Sequence, residues 1–411
     1  MKNKLNCYQI GGLRIELMLK VLHIINTIDL RDGGPVASLY ALARARLASG
    51  HSTTAISLDA PGSLNPEELP FNWVALGPGT GNYGYSPRLV PWLKEHAREY
   101  DSVIISGIWG FQAFGGWKGL KGLNIPYLLF PHGMLDPWFK NSYPLKHVKK
   151  WFYWHWFLHQ VFRDASAVCF TCEQERGLAR QSFWRYKAAE VVVGYGIQEP
   201  PASSQSQFDA FQRMVPAALN KRIILFLSRI HEKKGCDLLV QSYAKVMGAD
   251  SNWHLVIAGP ADEKTLVHLK AIARKAGIGD SVSWPGMLYG DAKWGAFRSA
   301  DAFCLPSHQE NFGIVVAEAM ACECPALITH QVNIWRDIYE SAAGFVEPDT
   351  AEGIEHLLRR WRENPVEKRQ AMGARGRECQ KRLFDIRGVD SRLEALMRQS
   401  IRGTLPDVHH P

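Results

Sequence analysis

The sequence contains no apolar run of the roughly 20 residues that a membrane-spanning helix needs. Its N-terminus also lacks the uninterrupted apolar core of a secretory signal peptide. We therefore expect a cytoplasmic protein, either free or lying on the cytoplasmic face of a membrane. Residues 1–18 are interpreted as an N-terminal extension without clear periodicity, within which Met18 is a candidate for the true start.

Cysteine pairs at metal-binding spacing are almost absent as well. The eight cysteines include a single C-x-x-C, Cys169 and Cys172, with no second pair at zinc-ribbon spacing. We interpret them as free thiols in a reducing compartment, used as small buried side chains. The sequence also lacks an Asp-x-Asp after a predicted strand, which could chelate a divalent metal together with a diphosphate. No metal site is predicted.

The composition is that of a globular protein, with 46% hydrophobic and 21% charged residues in a chain of 411. This length predicts two domains of roughly 150 to 200 residues each. The formal net charge of +8 and the pI near 9.0 favour anionic partners. Phosphate esters, nucleic acids and acidic lipid headgroups all qualify, and charge alone does not choose among them.

Short β-branched runs alternate with helical patterns from Leu19 onward, which predicts parallel sheets covered by helices on both faces. Residues 200–219 begin with a polar, Pro/Ser-rich stretch and are interpreted as a linker, after which the alternation restarts. We therefore predict an α/β fold with two Rossmann-like doubly wound domains, residues 19–199 and 220–380. Residues 381–411 are expected to form a C-terminal helix that returns to the N-terminal domain, followed by a tail.

Ligands of doubly wound sheets bind beyond the carboxyl ends of the strands, so two facing sheets are expected to form one cleft between the domains. Four loops that follow predicted strands carry residues suited to chemistry. They are the segments DGGP at 32–35, PHGM at 131–134, SRIHEKKG at 228–235 and SHQENFG at 307–313.

The third of these loops contains two cations, Arg229 and Lys234, whose spacing lets both reach one diphosphate. Arginine offers a planar fork and lysine a point charge, and both suit phosphoryl oxygens. Cations in loops are often merely solvated, and it is their place after a strand that favours phosphate binding.

The fourth loop leads into a predicted helix and completes an anion site. The backbone N–H groups of Asn311, Phe312 and Gly313 lie at the helix start, where the helix dipole favours a phosphate. Glu318 lies about one and a half turns into this helix among apolar residues, so its carboxylate needs a hydrogen-bonding partner. The two hydroxyls of a ribose would provide one. Glu310 either contacts the ligand or is an exposed carboxylate before the helix.

These motifs resemble those of the retaining nucleotide-sugar glycosyltransferases of family 4, or glycosyl transferases group 1, which have the GT-B fold. The resemblance extends over both predicted domains. The residues that carry it are Glu310 and Glu318 with the NFG segment between them, Arg229 and Lys234, Gly33 and Gly34, and His132. Where members of the family commonly carry a Pro-Asn-Gly turn before the linker, this chain has GYGIQ at 194–198.

The resemblance implies a role for each residue. Arg229 and Lys234 would neutralise the leaving diphosphate, and Glu318 would hold the ribose. The other assignments are as follows: Glu310 and the amides of Asn311, Phe312 and Gly313 hold the donor sugar, His132 reaches that sugar from the first domain, and Gly33 and Gly34 let the backbone approach the phosphate or the acceptor. The family needs neither a metal nor a cofactor, because the nucleotide sugar is a substrate.

The implied activity is transfer of a hexose, with retention of configuration, from GDP-mannose or a UDP-hexose to a glycan or lipid-linked acceptor. Cell-surface polysaccharide or lipopolysaccharide synthesis is the expected setting. One alternative is a GT-B enzyme that isomerises or hydrolyses a nucleotide sugar. Another is a basic, non-enzymatic binding protein, although the sequence contains no recognisable nucleic-acid module.

Residues 145–163 combine lysines and an arginine with many aromatic side chains. A basic aromatic helix is typical of proteins that bind a membrane surface, here an anionic one. Aromatic residues on nearly every side of the helix also fit a segment packed between the sheet and its neighbours. The sequence leaves both interpretations open.

Overall fold

A computed structural model describes residues 9–10, 13–14 and 18–404. The chain forms two compact units. The N-terminal unit runs to Thr171 and also includes Arg176–Gly196 and the segment from Val389. The C-terminal unit consists of Cys172–Glu175 and Ile197–Gly388.

The N-terminal unit is built on a seven-stranded parallel sheet, preceded by a short antiparallel hairpin. The hairpin strands are β1 (Gln9–Ile10) and β2 (Leu13–Arg14). The sheet strands are β3 (Lys20–Ile24), β4 (Ser52–Ser57), β5 (Asn72–Ala75), β6 (Ser102–Ser106), β7 (Tyr127–Phe130), β8 (Ala167–Phe170) and β9 (Glu190–Val192). Their order is β5-β4-β3-β6-β7-β8-β9, so the winding direction reverses between β3 and β6.

Helices cover the sheet of the N-terminal unit, which explains why successive residues of β6 are all buried. They are α1 (Gly34–Ala48), α2 (Leu89–His96), α3 (Phe111–Leu120), α4 (Trp138–Ser142), α5 (Pro144–Tyr153), α6 (His159–Asp164) and α7 (Glu173–Ala179). A π-helical turn, Trp154–Leu158, joins α5 to α6.

The C-terminal unit repeats the architecture with a six-stranded parallel sheet. Its strands are β10 (Arg222–Leu227), β11 (Trp253–Ala258), β12 (Val282–Gly286), β13 (Ala302–Leu305), β14 (Ala326–Thr329) and β15 (Gly344–Glu347). The order is β12-β11-β10-β13-β14-β15, and the winding direction reverses between β10 and β13. The prediction of two Rossmann-like doubly wound domains is confirmed.

Helices also flank this second sheet. They are α8 (Gln205–Met214), α9 (Cys236–Val246), α10 (Glu263–Lys275), α11 (Gly290–Ser299), α12 (Ile314–Ala321), α13 (Trp335–Glu340), α14 (Ala351–Glu363) and α15 (Val366–Leu383). The last helix, α16 (Ile386–Arg402), belongs to the N-terminal unit from Val389 onward. None of the helices in the described part of the chain is both long and apolar enough to cross a membrane.

Helix α8 lies within residues 200–219, where the sequence predicts a linker. Its Phe211 is buried, and the helix packs so closely on α11 that a Cβ on Gly295 would lie 1.9 Å from the carbonyl oxygen of Gln207. The sequence did not predict this helix, because the segment is mostly polar and the buried face of the helix is narrow. At the other end of the chain, α16 brings Asp390 to a buried ion pair with Arg46 of α1, at 3.1 Å.

Candidate functional site

The candidate site of the C-terminal unit is formed by loops that follow adjacent parallel strands. Strands β10 and β13 pair directly, with Leu225 opposite Phe303, and β13 pairs with β14. The winding reverses between β10 and β13, which is the topological switch point where ligands of such sheets bind. The loops after β10 and β13 carry all the predicted site residues of this unit except Glu318, which lies in α12.

The loop after β10 is fixed at both of its ends. The Ile230 N–H donates to the Pro260 carbonyl oxygen at 2.8 Å, which ties the start of the loop to the end of β11. At the other end Gly235 has a φ of +63°, and a Cβ there would lie 2.2 Å from the Pro306 carbonyl oxygen. Only glycine fits this close approach, which brings Lys234 against the loop after β13.

Lys234 and Glu310 form an ion pair through Nζ and Oε2, with both side chains less than one-fifth exposed. The loop after β14 holds the backbone of Glu310 on both sides. The Glu310 backbone N–H donates to the Gln331 carbonyl oxygen at 2.9 Å, and the Asn333 backbone N–H donates to the Glu310 carbonyl oxygen at 3.0 Å. The structure thus brings together two residues that lie far apart in the sequence.

Arg229 has a different environment from Lys234 in the same loop. Its side chain is exposed, and no hydrogen bond or ion pair to it occurs within the described residues. This exposed guanidinium, in the same loop as the ion-paired Lys234, is a cation available to an anionic ligand.

The start of α12 is also as the sequence predicts, with Gly313 as its N-cap at a φ of +78°. The Phe312 side chain is 3% exposed and packs edge-on against Phe384, with ring centroids 5.1 Å apart. Phe312 therefore anchors the loop in the core, and only its backbone can contact a ligand. The Asn311 side-chain oxygen accepts from Asn333 Nδ2 at 3.4 Å.

Glu318 has a partner within the protein that the sequence analysis missed. Lys293 Nζ, on α11, lies 2.6 Å from Glu318 Oε1, and both side chains are at least three-quarters buried. This pair satisfies the carboxylate without a ligand, although one carboxylate can accept further hydrogen bonds. No spacing rule connects the two residues, because the contact depends on how α11 packs beside α12.

In the N-terminal unit His132 follows β7 with a φ of +51°, a left-handed conformation that few non-glycine residues adopt. Its Nε2 lies 3.1 Å from Ser106 Oγ, which is also 2.7 Å from Nε2 of His23. Burial lowers the pKa of His132 to about 4. Burial first, and then the charges of His132 and Arg46, lower the pKa of His23 to about 3. Both imidazoles are therefore neutral at pH 7.

Gly33 and Gly34 form the start of α1 in the same unit. Gly33 has φ +95° and ψ −143°, a conformation open essentially only to glycine, although a Cβ there would meet nothing within 4 Å. The Gly34 carbonyl oxygen accepts a hydrogen bond from the Tyr195 hydroxyl. Sequence reasoning found these glycines but missed His23, Ser106 and Lys293, which act through tertiary contacts.

Comparison with known families divides the chain in the same way as the fold. Residues 207–379 match the family model described as glycosyl transferases group 1. Residues 33–196 match the model described as a glycosyl transferase 4-like domain.

Individual relatives give partial alignments. The chain is 28% identical over 293 residues to mannosylfructose-phosphate synthase of Agrobacterium fabrum, covering 64% of this chain and 61% of that protein. It is 28% identical over 176 residues to phosphatidyl-myo-inositol mannosyltransferase of Mycobacterium leprae, covering 42% of this chain and 44% of that protein. The alignments to the curated relatives span less than two thirds of those proteins.

Among solved structures, the fold is similar to that of Anabaena HepE in complex with UDP and glucose. The TM-score is 0.73 at 16% sequence identity, with 93% of this chain and all of that chain covered.

Proposed function

This chain belongs to the glycosyl transferases of group 1 with the GT-B fold, and from that we propose that it transfers a hexose from a nucleoside diphosphate sugar to an acceptor. The observation that carries the proposal is the Lys234–Glu310 ion pair, with Arg229 in the same loop, at the switch point of the second sheet. Cations for a diphosphate and a carboxylate for sugar hydroxyls then lie in adjacent loops.

The cations are proposed to act on the leaving group. Negative charge grows on the diphosphate as the glycosidic bond breaks, so Arg229, Lys234 and the amides after Glu310 would stabilise the transition state more than the substrate. When the donor binds, the Lys234 ammonium would donate hydrogen bonds to both the diphosphate and Glu310. Glu310 would then accept hydrogen bonds from the hydroxyls of the transferred sugar.

The second pair is proposed to recognise the nucleoside. Lys293 contacts one oxygen of the mostly buried Glu318 carboxylate, which keeps acceptor capacity for the two ribose hydroxyls. Lys293 is thus a positioning residue that acts through Glu318.

Retention of configuration without a metal ion is part of the proposal. Glu310 and Glu318 are each paired with a lysine, which disfavours either carboxylate as a covalent nucleophile. His132, whose pKa is about 4, is a weak base for activating an acceptor on the opposite face of the sugar. Attack by the acceptor on the face that the diphosphate leaves is the remaining route.

The donor and acceptor classes are proposed from chemistry and relatives. HepE was solved with UDP and glucose, and two relatives are named for mannosyl products, so UDP-hexoses and GDP-mannose are the donors we propose. The name of the Mycobacterium leprae relative indicates a lipid acceptor. We propose a glycan or lipid-linked acceptor in cell-surface polysaccharide or lipopolysaccharide synthesis, at the cytoplasmic face of an anionic membrane.

A thermal-shift panel of nucleoside diphosphates and their sugars tests the proposal. A ligand of the folded state raises the melting temperature, and at 100 times its dissociation constant it adds about 2.7 kcal/mol to the free energy of unfolding. We expect UDP or GDP and the corresponding sugars to raise it.

Two variants connect the shift to the site. Lys234→Ala should reduce the nucleotide shift. Lys245→Ala is the matched control, because Lys245 is ion-paired with Glu355 between α9 and α14 and should leave the shift unchanged. A panel in which no nucleotide stabilises the protein would contradict the proposed function.

A further inference from the structure

The N-terminal unit contains a cavity of about 510 Å³ that the proposed donor chemistry does not use. Six aromatic side chains line most of it, and we call it the aromatic pocket. They are Tyr83, Tyr85, Phe111, Phe114, Tyr153 and Phe157. This volume lies within the roughly 300 to 1,000 Å³ typical of small-molecule sites.

The polar atoms of the pocket wall are largely satisfied within the protein. The hydroxyls of Tyr83 and Tyr153 hydrogen-bond to each other at 2.8 Å. Phe114 and Phe157 pack edge-on with ring centroids 5.1 Å apart. The wall therefore presents ring surfaces and a paired hydroxyl couple, which favours an apolar ligand over a sugar. Lys118, which is exposed, is the one charged side chain among the described residues that line the pocket.

One end of the pocket lies at the carboxyl edge of the first sheet. Phe111 begins α3, directly after the loop that follows β6, and its N–H donates to the Tyr83 carbonyl oxygen at 2.7 Å. Strand β6 ends at Ser106, whose hydroxyl contacts His132. The end of the pocket formed by Tyr83 and Phe111 is thus at the same edge of the sheet as His132.

The pocket adjoins an exposed apolar surface formed by α5 and the π-helical turn. Phe157 is shared by both and is 43% exposed, while Leu145 and Trp156 are 87% and 63% exposed. Trp154 and Leu158 of the same segment are buried, so the segment is anchored to the core and still presents apolar side chains to solvent. The packing of this segment against the core, one of the two interpretations from the sequence, is thus confirmed for Trp154 and Leu158, and membrane contact stays a prediction.

The charge of this surface specifies the chemistry of its partner. Residues 144–158, which form this surface, contain three lysines, Lys146, Lys149 and Lys150, and no Asp or Glu. Exposed tryptophan and phenylalanine mixed with lysine are typical of segments that lie in an anionic lipid headgroup layer.

We propose that the aromatic pocket binds the hydrocarbon chain of an anionic lipid, with Lys118 beside the headgroup. The inference rests on the proposed function for its biological meaning, since the lipid would be the glycosyl acceptor. The hydrocarbon chain in the pocket would hold the acceptor on the N-terminal unit.

Monomeric octyl phosphate is the probe, titrated into the full chain by calorimetry beside octanol and inorganic phosphate. We expect saturable binding of octyl phosphate, weaker binding of octanol and none of inorganic phosphate. Phe157→Glu should weaken octyl phosphate binding at least tenfold, because it introduces a charge at the pocket. Tyr85→Glu, at a second exposed position in the pocket, should do the same and covers the case in which Phe157→Glu fails to fold.

Three further variants provide a control, test the headgroup contact and test the exposed surface. Val267→Glu changes an exposed apolar residue on α10 of the C-terminal unit and should leave binding unchanged. Lys118→Ala should weaken binding of octyl phosphate but not of octanol. Sedimentation with vesicles of phosphatidylcholine and phosphatidylglycerol, using Trp156→Glu, measures the contribution of the surface alone.

Several results would overturn the inference. They are absence of octyl phosphate binding, binding that survives both pocket variants, and equal binding of inorganic phosphate. Vesicle binding that depends on Trp156 without octyl phosphate binding would indicate contact with bulk membrane only, which also rejects the pocket. The nucleotide thermal-shift panel runs in parallel. Octyl phosphate binding without any nucleotide shift would retain the pocket and reject the proposed function, and the reverse would reject the pocket alone.

Discussion

Glu318 lies within a helix whose other residues are apolar, and its carboxylate contacts Lys293. Replacing it with glutamine keeps the volume and removes the charge that would accept from a ribose. We expect Glu318→Gln to weaken nucleotide binding by about 1.5 to 3 kcal/mol, the usual value of a hydrogen bond to a charged group. Calorimetric titration with the nucleotide selected by the thermal-shift panel measures this.

The control for this prediction is Glu355→Gln, which alters a carboxylate paired with Lys245 away from the strand-end loops. Lys293→Met should also weaken nucleotide binding, because it removes the ion-pair partner that positions the Glu318 carboxylate. Since both changes act on one pair, their effects should not be additive in the double variant. Unchanged affinity in Glu318→Gln would remove the ribose role from this residue.

His132 and His23 supply a prediction about pH. Their pKa values in the folded protein, about 4 and about 3, lie below the ordinary value of 6.5. The unfolded chain therefore binds more protons than the folded one between pH 6.5 and pH 4. The contribution of the two neutral histidines to the free energy of unfolding is thus complete above pH 6.5 and falls as the pH drops through this range. We expect a loss on the order of 1 to 2 kcal/mol per histidine between pH 7 and pH 5.

Urea unfolding at pH 7, 6 and 5 measures this loss. His132→Asn is the informative variant, because asparagine tolerates the left-handed backbone at this position and does not titrate. The variant should show a smaller fall in unfolding free energy than the unmodified protein. An equal fall in both proteins would show that His132 is not responsible.

At the level of the elements, the sequence predicts the strands and the helix starts well, because both depend on local pattern. Buried parallel strands appear as continuous apolar runs, and Gly313 and Gly34 mark helix starts directly. Helix α8 was missed because its buried face is narrow and its other residues are polar. The Lys293–Glu318 pair could not be predicted, because the two residues are 25 positions apart and meet only through the packing of α11 beside α12.

The loop after β10 gives a prediction at this scale. In Gly235→Ala the new Cβ would both occupy a left-handed backbone position and approach the Pro306 carbonyl oxygen to 2.2 Å. We expect a loss of stability above the roughly 1 to 2 kcal/mol of a left-handed non-glycine residue. Nucleotide affinity should fall as well, because Lys234 would be displaced from Glu310.

Gly277→Ala is a matched control in the same unit. Gly277 has a φ of +73°, but a Cβ there would meet nothing within 4 Å, so only the backbone cost applies. Urea unfolding and nucleotide titration of both variants separate the cost of the left-handed backbone from the cost of the clash with Pro306. Equal stability of the two variants, with equal nucleotide affinity, would show that the approach to Pro306 does not position the loop.

At the scale of the whole molecule, the fold class follows from the repeated alternation of strands and helices along the chain, whereas the aromatic pocket does not follow from any local pattern. Tyr83 and Tyr153 meet across the aromatic pocket although 70 residues separate them. In the sequence each of these aromatic residues looks like an ordinary core residue. The pocket could not be predicted, because it depends on how α3 and α5 pack in the fold. The proposed donor loops, in contrast, each carry their own motif.

The stereochemical outcome of the reaction is the prediction that involves the whole protein. Glu310 and Glu318 are each neutralised by a lysine, and His132 is a weak base, so neither a covalent carboxylate intermediate nor base-assisted attack from the opposite face is favoured. We expect the product to retain the anomeric configuration of the donor, with activity undiminished by EDTA because Arg229 and Lys234 supply the positive charge at the diphosphate. NMR of the freshly formed product, with a membrane lipid extract as acceptor and the donor selected by the panel, measures both. An inverted anomeric centre would contradict the proposed route, and activity that EDTA abolishes and Mg²⁺ or Mn²⁺ restores would show that the two cations are insufficient. Release of free sugar or conversion to an isomeric nucleotide sugar, without transfer, would instead identify a hydrolase or an isomerase built on the same site.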